Sequence, residues 1–160
     1  MNHNPYSPPS ARVADAAEAV GRAGSTARLY TPGQIALAAF LGSPLAAAWF
    51  ASANFKALAQ PFKATRTMYL GVGLLIAVLC VSFVLPDSMP NSILPIAYSL
   101  GIRYAAEPYF KEPIREHVAS GGKLGSWWKV VGLSLLVSLA LVLLIVVVAV
   151  ALASLHPDAT

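Results

Sequence analysis

Long apolar stretches alternate with short polar connectors along the chain, and this pattern predicts four helical segments. They cover residues 34–55, 68–85, 92–107 and 128–153. The last is the clearest, because no charged side chain occurs from Val130 to Leu155, a stretch longer than the roughly 20 residues that span a bilayer. The third is short and contains Arg103, so it spans only if the bilayer thins or the flanking side chains snorkel. We therefore predict an all-α, polytopic membrane protein with four transmembrane helices.

Local signals predict where the segments begin and end. Thr31 and Pro32 form a typical helix start, with Thr31 as the cap and Pro32 in the first turn. Ser92 can cap the third segment, and Pro108 is expected to end it. Residues 1–30 are rich in Pro, Ala and Ser and contain few large apolar groups, which predicts a disordered tail. The expected domains are this tail, one transmembrane domain over 31–155 and a short tail over 156–160.

The first segment is interrupted at Gly42-Ser43-Pro44, and two interpretations of this break are possible. Its length suits a crossing, and proline is tolerated in transmembrane helices. Small residues also recur at four-residue spacing on both sides of the break, a pattern typical of closely packed helices. The residues that carry this helix-packing prediction are Ala39, Gly42, Ser43, Ala46, Ala47 and Ala51. They favour one helix that is kinked at Pro44 and crosses the membrane.

The distribution of basic residues favours the other interpretation, in which the chain turns back. Lys and Arg mark the cytoplasmic side of membrane proteins. If the first segment crosses, the tail with Arg12, Arg22 and Arg28 lies outside, together with the C terminus. If the segment re-enters, all 11 Lys and Arg residues are cytoplasmic. Charge alone therefore leaves a re-entrant hairpin open.

Composition agrees with a membrane protein and limits the kinds of partner that we expect. Of 160 residues, 57% are hydrophobic and 11% are charged, whereas soluble domains carry about 25% charged residues. The formal net charge of +4 requires no nucleic acid, because basic residues at the cytoplasmic surface account for it. The expected surroundings are the lipid bilayer and either a membrane-protein partner or further copies of the chain.

Polar side chains near the predicted interface offer little chemistry. Arg103 and Glu107 are four residues apart and predict an interfacial ion pair, while Trp127 and Trp128 are typical interfacial anchors. The interleaved charges around Glu112, Glu116 and His117 fit a solvated surface better than a metal site. The predicted spans contain serines but no histidine within membrane depth. We therefore expect no enzyme activity, no cofactor and no metal.

Three stretches resemble a group of small bacterial inner-membrane proteins of unknown activity. They are YTPGQIALAAFLGSPLAAAWFASANFKAL, LPDSMPNSILPIAYSLGIRYAAE and GGKLGSWWKVVGLSLL. The resemblance implies a multi-pass protein of the bacterial inner membrane and assigns no role to any residue.

Two functions are compatible with this sequence. The first is protein–protein contact in the membrane, as an accessory subunit or a toxin-immunity protein. The alternative is a homo-oligomeric transporter or channel for a small solute, with the break at Pro44 lining a cavity.

Overall fold

The computed structural model describes residues 27–86, 88, 90 and 92–155. Its five helices are α1 (Pro32–Gly42), α2 (Pro44–Ala57), α3 (Pro61–Val84), α4 (Ile93–Ala119) and α5 (Trp127–Leu155). Extended pairing in these ranges is limited to an isolated parallel bridge between Leu29 and Leu124. The all-α prediction is confirmed. The predicted disorder of residues 1–26 and the tail over 156–160 fall outside the described residues.

Helix α1 begins where the sequence predicts. The hydroxyl of Thr31 accepts a hydrogen bond from the backbone N–H of Gln34, and the amide oxygen of Gln34 accepts one from the N–H of Thr31. This reciprocal pair is a capping box, which satisfies N–H groups that a helix start leaves without partners. The predicted cap at Thr31 is confirmed.

The first apolar segment turns back on itself at Ser43. The backbone N–H of Tyr30 donates to Oδ1 of Asn54 over 2.8 Å, although the two residues are 24 positions apart. In one continuous helix this separation would place them about 36 Å apart. Ser43 has a φ of +119°, outside the helical region, and Pro44 has no N–H to continue the ladder. The predicted kinked crossing is therefore wrong: α1 and α2 form a helical hairpin.

Helices α3 and α4 are both longer than the sequence predicts. Helix α3 begins at Pro61, seven residues before the predicted start at 68, and so includes the basic residues Lys63 and Arg66. Helix α4 continues through Pro108 and Pro113, although each proline removes an N–H donor and crowds the carbonyl group four residues earlier. The predicted end before Pro108 is wrong. The helix ends instead before Gly121, which has a φ of +83° that glycine adopts without strain.

Two helices, α3 and α5, are long and apolar enough to cross a membrane. Among the described helices, these two meet the length and hydropathy requirement for a span, whereas the sequence predicts four such segments. Helices α1 and α2 are too short, with 11 and 14 residues, and the C-terminal half of α4 is rich in charged residues.

The hairpin is the centre of the fold. Helix α2 packs mainly on α3, while α1 packs on both α4 and α5. Across their described residues, the three long helices scarcely touch one another. Most of the buried apolar core accordingly lies in the hairpin, with Ile35 and Phe50 among its largest members. The long helices are thus held together through the hairpin.

Candidate functional site

Buried side-chain amides fasten the open end of the hairpin. Besides accepting from Tyr30, Asn54 donates from Nδ2 to the carbonyl oxygen of Tyr30 over 2.7 Å. Gln34 donates from Nε2 to the carbonyl oxygen of Gly125 over 2.7 Å, and the N–H of Gly125 donates to Leu29. We call these five residues the polar clasp. It joins the incoming chain, the end of α2 and the loop before α5.

Close packing of aromatic rings and of a glycine accompanies the hydrogen bonds of the clasp. The rings of Tyr30 and Phe50 meet edge to face with centroids 4.7 Å apart. A Cβ added at Gly125 would collide with the ring of Tyr30. Glycine is therefore required at 125 for the loop to approach the hairpin.

The tip of the hairpin lies against α5. A Cβ at Gly42 would come within 2.7 Å of the backbone oxygen of Ser134, so the absence of a side chain permits this contact. The hydroxyls of Ser43 and Ser134 are buried and make no hydrogen bond with the described residues. The tip is thus tightly packed yet contains two polar atoms without partners.

Each residue of the helix-packing prediction lies in or next to this core. Ala39, Gly42, Ala46, Ala47 and Ala51 are buried, and Ser43 is half-buried at the break. Their neighbours belong to the same chain, since the hairpin packs on α3, α4 and α5.

The predicted interfacial residues lie on two helices, Arg103 and Glu107 on α4 and Trp127 and Trp128 at the start of α5. Glu107 contacts Lys111 at 3.4 Å, whereas Arg103 forms no ion pair with any residue that the structure describes. The predicted pairing of Arg103 with Glu107 is thus replaced by a pairing one turn further along α4. Trp127 and Trp128 are exposed at the start of α5.

A cleft separates α3 from α4 above α2, and no sequence pattern predicts it. Its volume is about 400 Å³, which falls within the range of ligand sites, roughly 300–1,000 Å³. Small residues of α2, including Ala47, Ala48 and Ala51, form the floor, and Leu70 and Leu74 of α3 face Ile102 of α4. The cleft forms because α3 and α4 pack on the hairpin and scarcely touch each other, and residue periodicity does not predict this separation.

One end of the cleft is basic. Lys63 and Arg66 line it at the start of α3, together with Thr67 and with Tyr109 of α4. The Lys63 ammonium lies 6.0 Å from the ring centroid of Phe55. Among the described residues that line the cleft none is acidic, and neither cation forms an ion pair with a described carboxylate. The cleft therefore suits an anionic group attached to an apolar body.

Groupings suited to metal binding are missing from the described ranges: no three of their His, Cys, Asp and Glu residues lie together. Glu112 pairs with Arg115 at 3.1 Å on the exposed surface, and the His117 ring packs against Gly122.

Comparison with known proteins provides no assignment, since no family model, curated protein or solved structure matches the chain. The resemblance to small bacterial inner-membrane proteins stays a prediction.

Proposed function

We propose that the protein is a multi-pass protein of the bacterial cytoplasmic membrane that acts by contact with another membrane protein and performs no catalysis. An accessory subunit and a toxin-immunity protein both fit this description. The support comes from exposed apolar surface, chain connectivity, charge and the outer half of α5, which lacks packing neighbours among the described residues.

Exposure of the apolar helices supports the membrane location. The most apolar windows of α3 and α5 have mean hydropathies of 2.3 and 3.2, and only 6% of each window is buried. A core helix of a soluble protein would bury such a surface. Exposing so many leucine and valine side chains to water would be strongly unfavourable. Lipid is therefore the natural solvent for both helices.

Connectivity supports a third crossing by α4. The start of α3 lies beside the clasp, because Lys63 approaches Phe55. The start of α5 lies there too, because Gly125 bonds to Leu29. Helix α3 has 24 residues and carries the chain about 36 Å away. Helix α4 must return it, and Phe110 near its charged end meets Phe55 at a centroid distance of 4.8 Å.

Charge supports a cytoplasmic position for the clasp end. The basic residues at or near this end include Arg28, Lys56, Lys63, Lys123 and Lys129, whereas residues 67–102 and 130–160 contain no Lys or Arg. Because Lys and Arg accumulate on the cytoplasmic side, the chain enters the hairpin from the cytoplasm. The far end of α5 then faces outward.

The single observation that supports a protein partner is the outer half of α5. Only its first turns pack on the hairpin, through Val130 and Ser134 and their neighbours. Beyond these, the Val, Leu and Ile side chains from Val142 to Val150 are 48–64% exposed. Helices in membranes associate through van der Waals packing and close fit. This aliphatic half-helix has no such neighbour in the described chain, and a partner helix would supply one.

Site-specific photo-crosslinking tests the proposal. A photoreactive residue at Leu143 or Val147 should yield an adduct with a second membrane protein in native membranes, identified by mass spectrometry. The same probe at Leu79, at similar depth on α3, should react mainly with lipid. Lipid adducts alone at every position, with a monodisperse protein in mild detergent, would contradict the proposal.

A transporter is the second candidate, and the broken helix at Ser43 favours it. Discontinuous helices form substrate sites in many transporters, and two buried hydroxyls without partners lie near this break. Solute flux in liposomes separates the functions: a transporter should lose flux when Pro44→Ala straightens the break. An interaction protein should show no flux with either form.

A further inference from the structure

We propose that the cleft between α3 and α4 binds an anionic phospholipid from the cytoplasmic leaflet. The phosphate would lie between Lys63 and Arg66, and an acyl chain would lie on the floor of the cleft. This inference rests on the proposed membrane placement, and it is independent of any protein partner on α5.

The order of residues along α3 matches the order of groups along a lipid. Lys63, Arg66 and Leu70 follow one another at helical spacing and line the same cleft. Leu74 lies on the same face of α3, about 16 Å along the helix from Lys63. It is therefore deeper in the proposed bilayer. A charged head at the cytoplasmic surface followed by an apolar tail would meet complementary groups at each level.

Charge selects an anionic headgroup. Lys63 and Arg66 have no carboxylate partner among the described residues, and no described acidic side chain lines the cleft. Arginine and lysine are the usual ligands of phosphate oxygens, and basic pockets between transmembrane helices on the cytoplasmic side recognise anionic lipid heads. A zwitterionic lipid would bring its own cation into this basic mouth and bind less well.

Shape selects a lipid chain over a bulky ligand. The floor consists of alanines, and Gly71 packs so closely on Ala48 that an added Cβ would collide with it. Because the cleft is partly open and its lining is mostly apolar, a flexible acyl chain can enter it from the bilayer. A partner helix, with a diameter of about 10–12 Å including side chains, is much bulkier than an acyl chain.

Native mass spectrometry of the delipidated full-length protein tests the proposal. The protein in mild detergent is titrated with phosphatidylglycerol or with phosphatidylcholine of identical acyl chains. Wild type should retain phosphatidylglycerol preferentially. The double variant K63Q/R66Q should bind it about 30-fold more weakly, since each basic residue at a membrane surface is worth about fivefold in affinity.

Two controls make the result specific. K123Q/K129Q removes the same charge at the same end of the molecule, outside the cleft, and should bind like wild type. Ala105→Trp fills the cleft without altering charge and should abolish retention, whereas Ala97→Trp on an exposed position of α4 should not.

Equal binding of both lipids by wild type, or equal loss in both double variants, would overturn the proposal. The proposal would also be overturned if glycerol phosphate bound as tightly as the intact lipid. The same holds if a photoreactive residue in the cleft crosslinked to a protein. Folding of each variant is checked by circular dichroism. Side-specific cysteine labelling tests the membrane placement separately, so failure of the lipid site is distinguishable from failure of the proposed function.

Discussion

At the scale of single residues, Asn54 joins the two ends of the hairpin. Its amide donates to and accepts from the backbone of Tyr30, as a neighbouring strand would. Leaving a buried polar group without a partner costs more than a hydrogen bond normally contributes. One side chain therefore satisfies two backbone groups where the chain enters the fold.

Asn54→Ala should destabilise the protein by about 2–4 kcal/mol, because both Tyr30 backbone groups then remain buried without partners. Asn54→Asp retains the acceptor and loses the donor, so it should also destabilise. The apparent melting temperature of the full chain in detergent measures the effect. Gln60→Ala removes an amide that makes no hydrogen bond with the described residues and serves as the control. Equal melting temperatures for wild type and Asn54→Ala would show that the clasp contributes nothing.

Sequence reasoning succeeded best at this scale. The cap at Thr31 follows from local chemistry, and the structure confirms it. Ser92 occupies its predicted cap position, but its side chain makes no capping hydrogen bond. The pairing of Glu107 was wrong by one turn because Arg103 and Lys111 are both four residues away from it. Spacing alone cannot decide between two such neighbours.

The hairpin shows, at the scale of elements, what a small-residue pattern can and cannot predict. Alanines at four-residue spacing permit close approach, but they do so in a straight helix and in two helices folded back on each other. The direction of the chain depends on Ser43, whose φ of +119° no periodicity reveals. The distribution of Lys and Arg pointed to the turn, because it reports on the whole chain rather than on one segment.

Two glycines on α3 provide a matched test of the contact between α2 and α3. Gly71→Ala should destabilise by about 1–3 kcal/mol, because its Cβ would collide with Ala48 in a well-packed contact. Gly73→Ala should stabilise by about 0.5–1 kcal/mol, because nothing lies within 4 Å of its added Cβ. Thermal unfolding of both variants in one detergent gives the comparison. Equal shifts would show that α2 and α3 are not in close contact.

The arrangement of the whole molecule is a hairpin surrounded by three longer helices. The hydropathy pattern sufficed to predict an apolar, helical protein, but it predicted four spans, whereas two of the described helices are long and apolar enough to cross a membrane. The cleft, the clasp and the reversal all depend on contacts between residues far apart in sequence, such as Gln34 with Gly125, 91 positions later. Single-sequence patterns report local order and do not contain such contacts.

Cysteine labelling tests this arrangement directly. With Cys80 replaced by Ser, we expect Ala27→Cys and Ala59→Cys to react from the same side of the membrane, since both flank the clasp. Ser88→Cys, beyond α3, should react from the opposite side. A membrane-impermeant maleimide applied to intact cells and then to inverted vesicles distinguishes the sides. If the cysteines at 27 and 59 reacted from opposite sides, the hairpin would be contradicted and a kinked helix that crosses the membrane would be supported.

The polar clasp also has a consequence for the order of biogenesis. The hairpin is synthesised before the other helices. The Gln34 amide, however, donates to the carbonyl oxygen of Gly125, and this residue is synthesised only after α4. A nascent chain truncated before residue 125 would therefore retain a buried amide without an acceptor and an α1 surface uncovered by α5. Until the clasp forms, a membrane chaperone or protease would meet a protein whose amide and α1 surface are still uncovered. After it forms, both are covered.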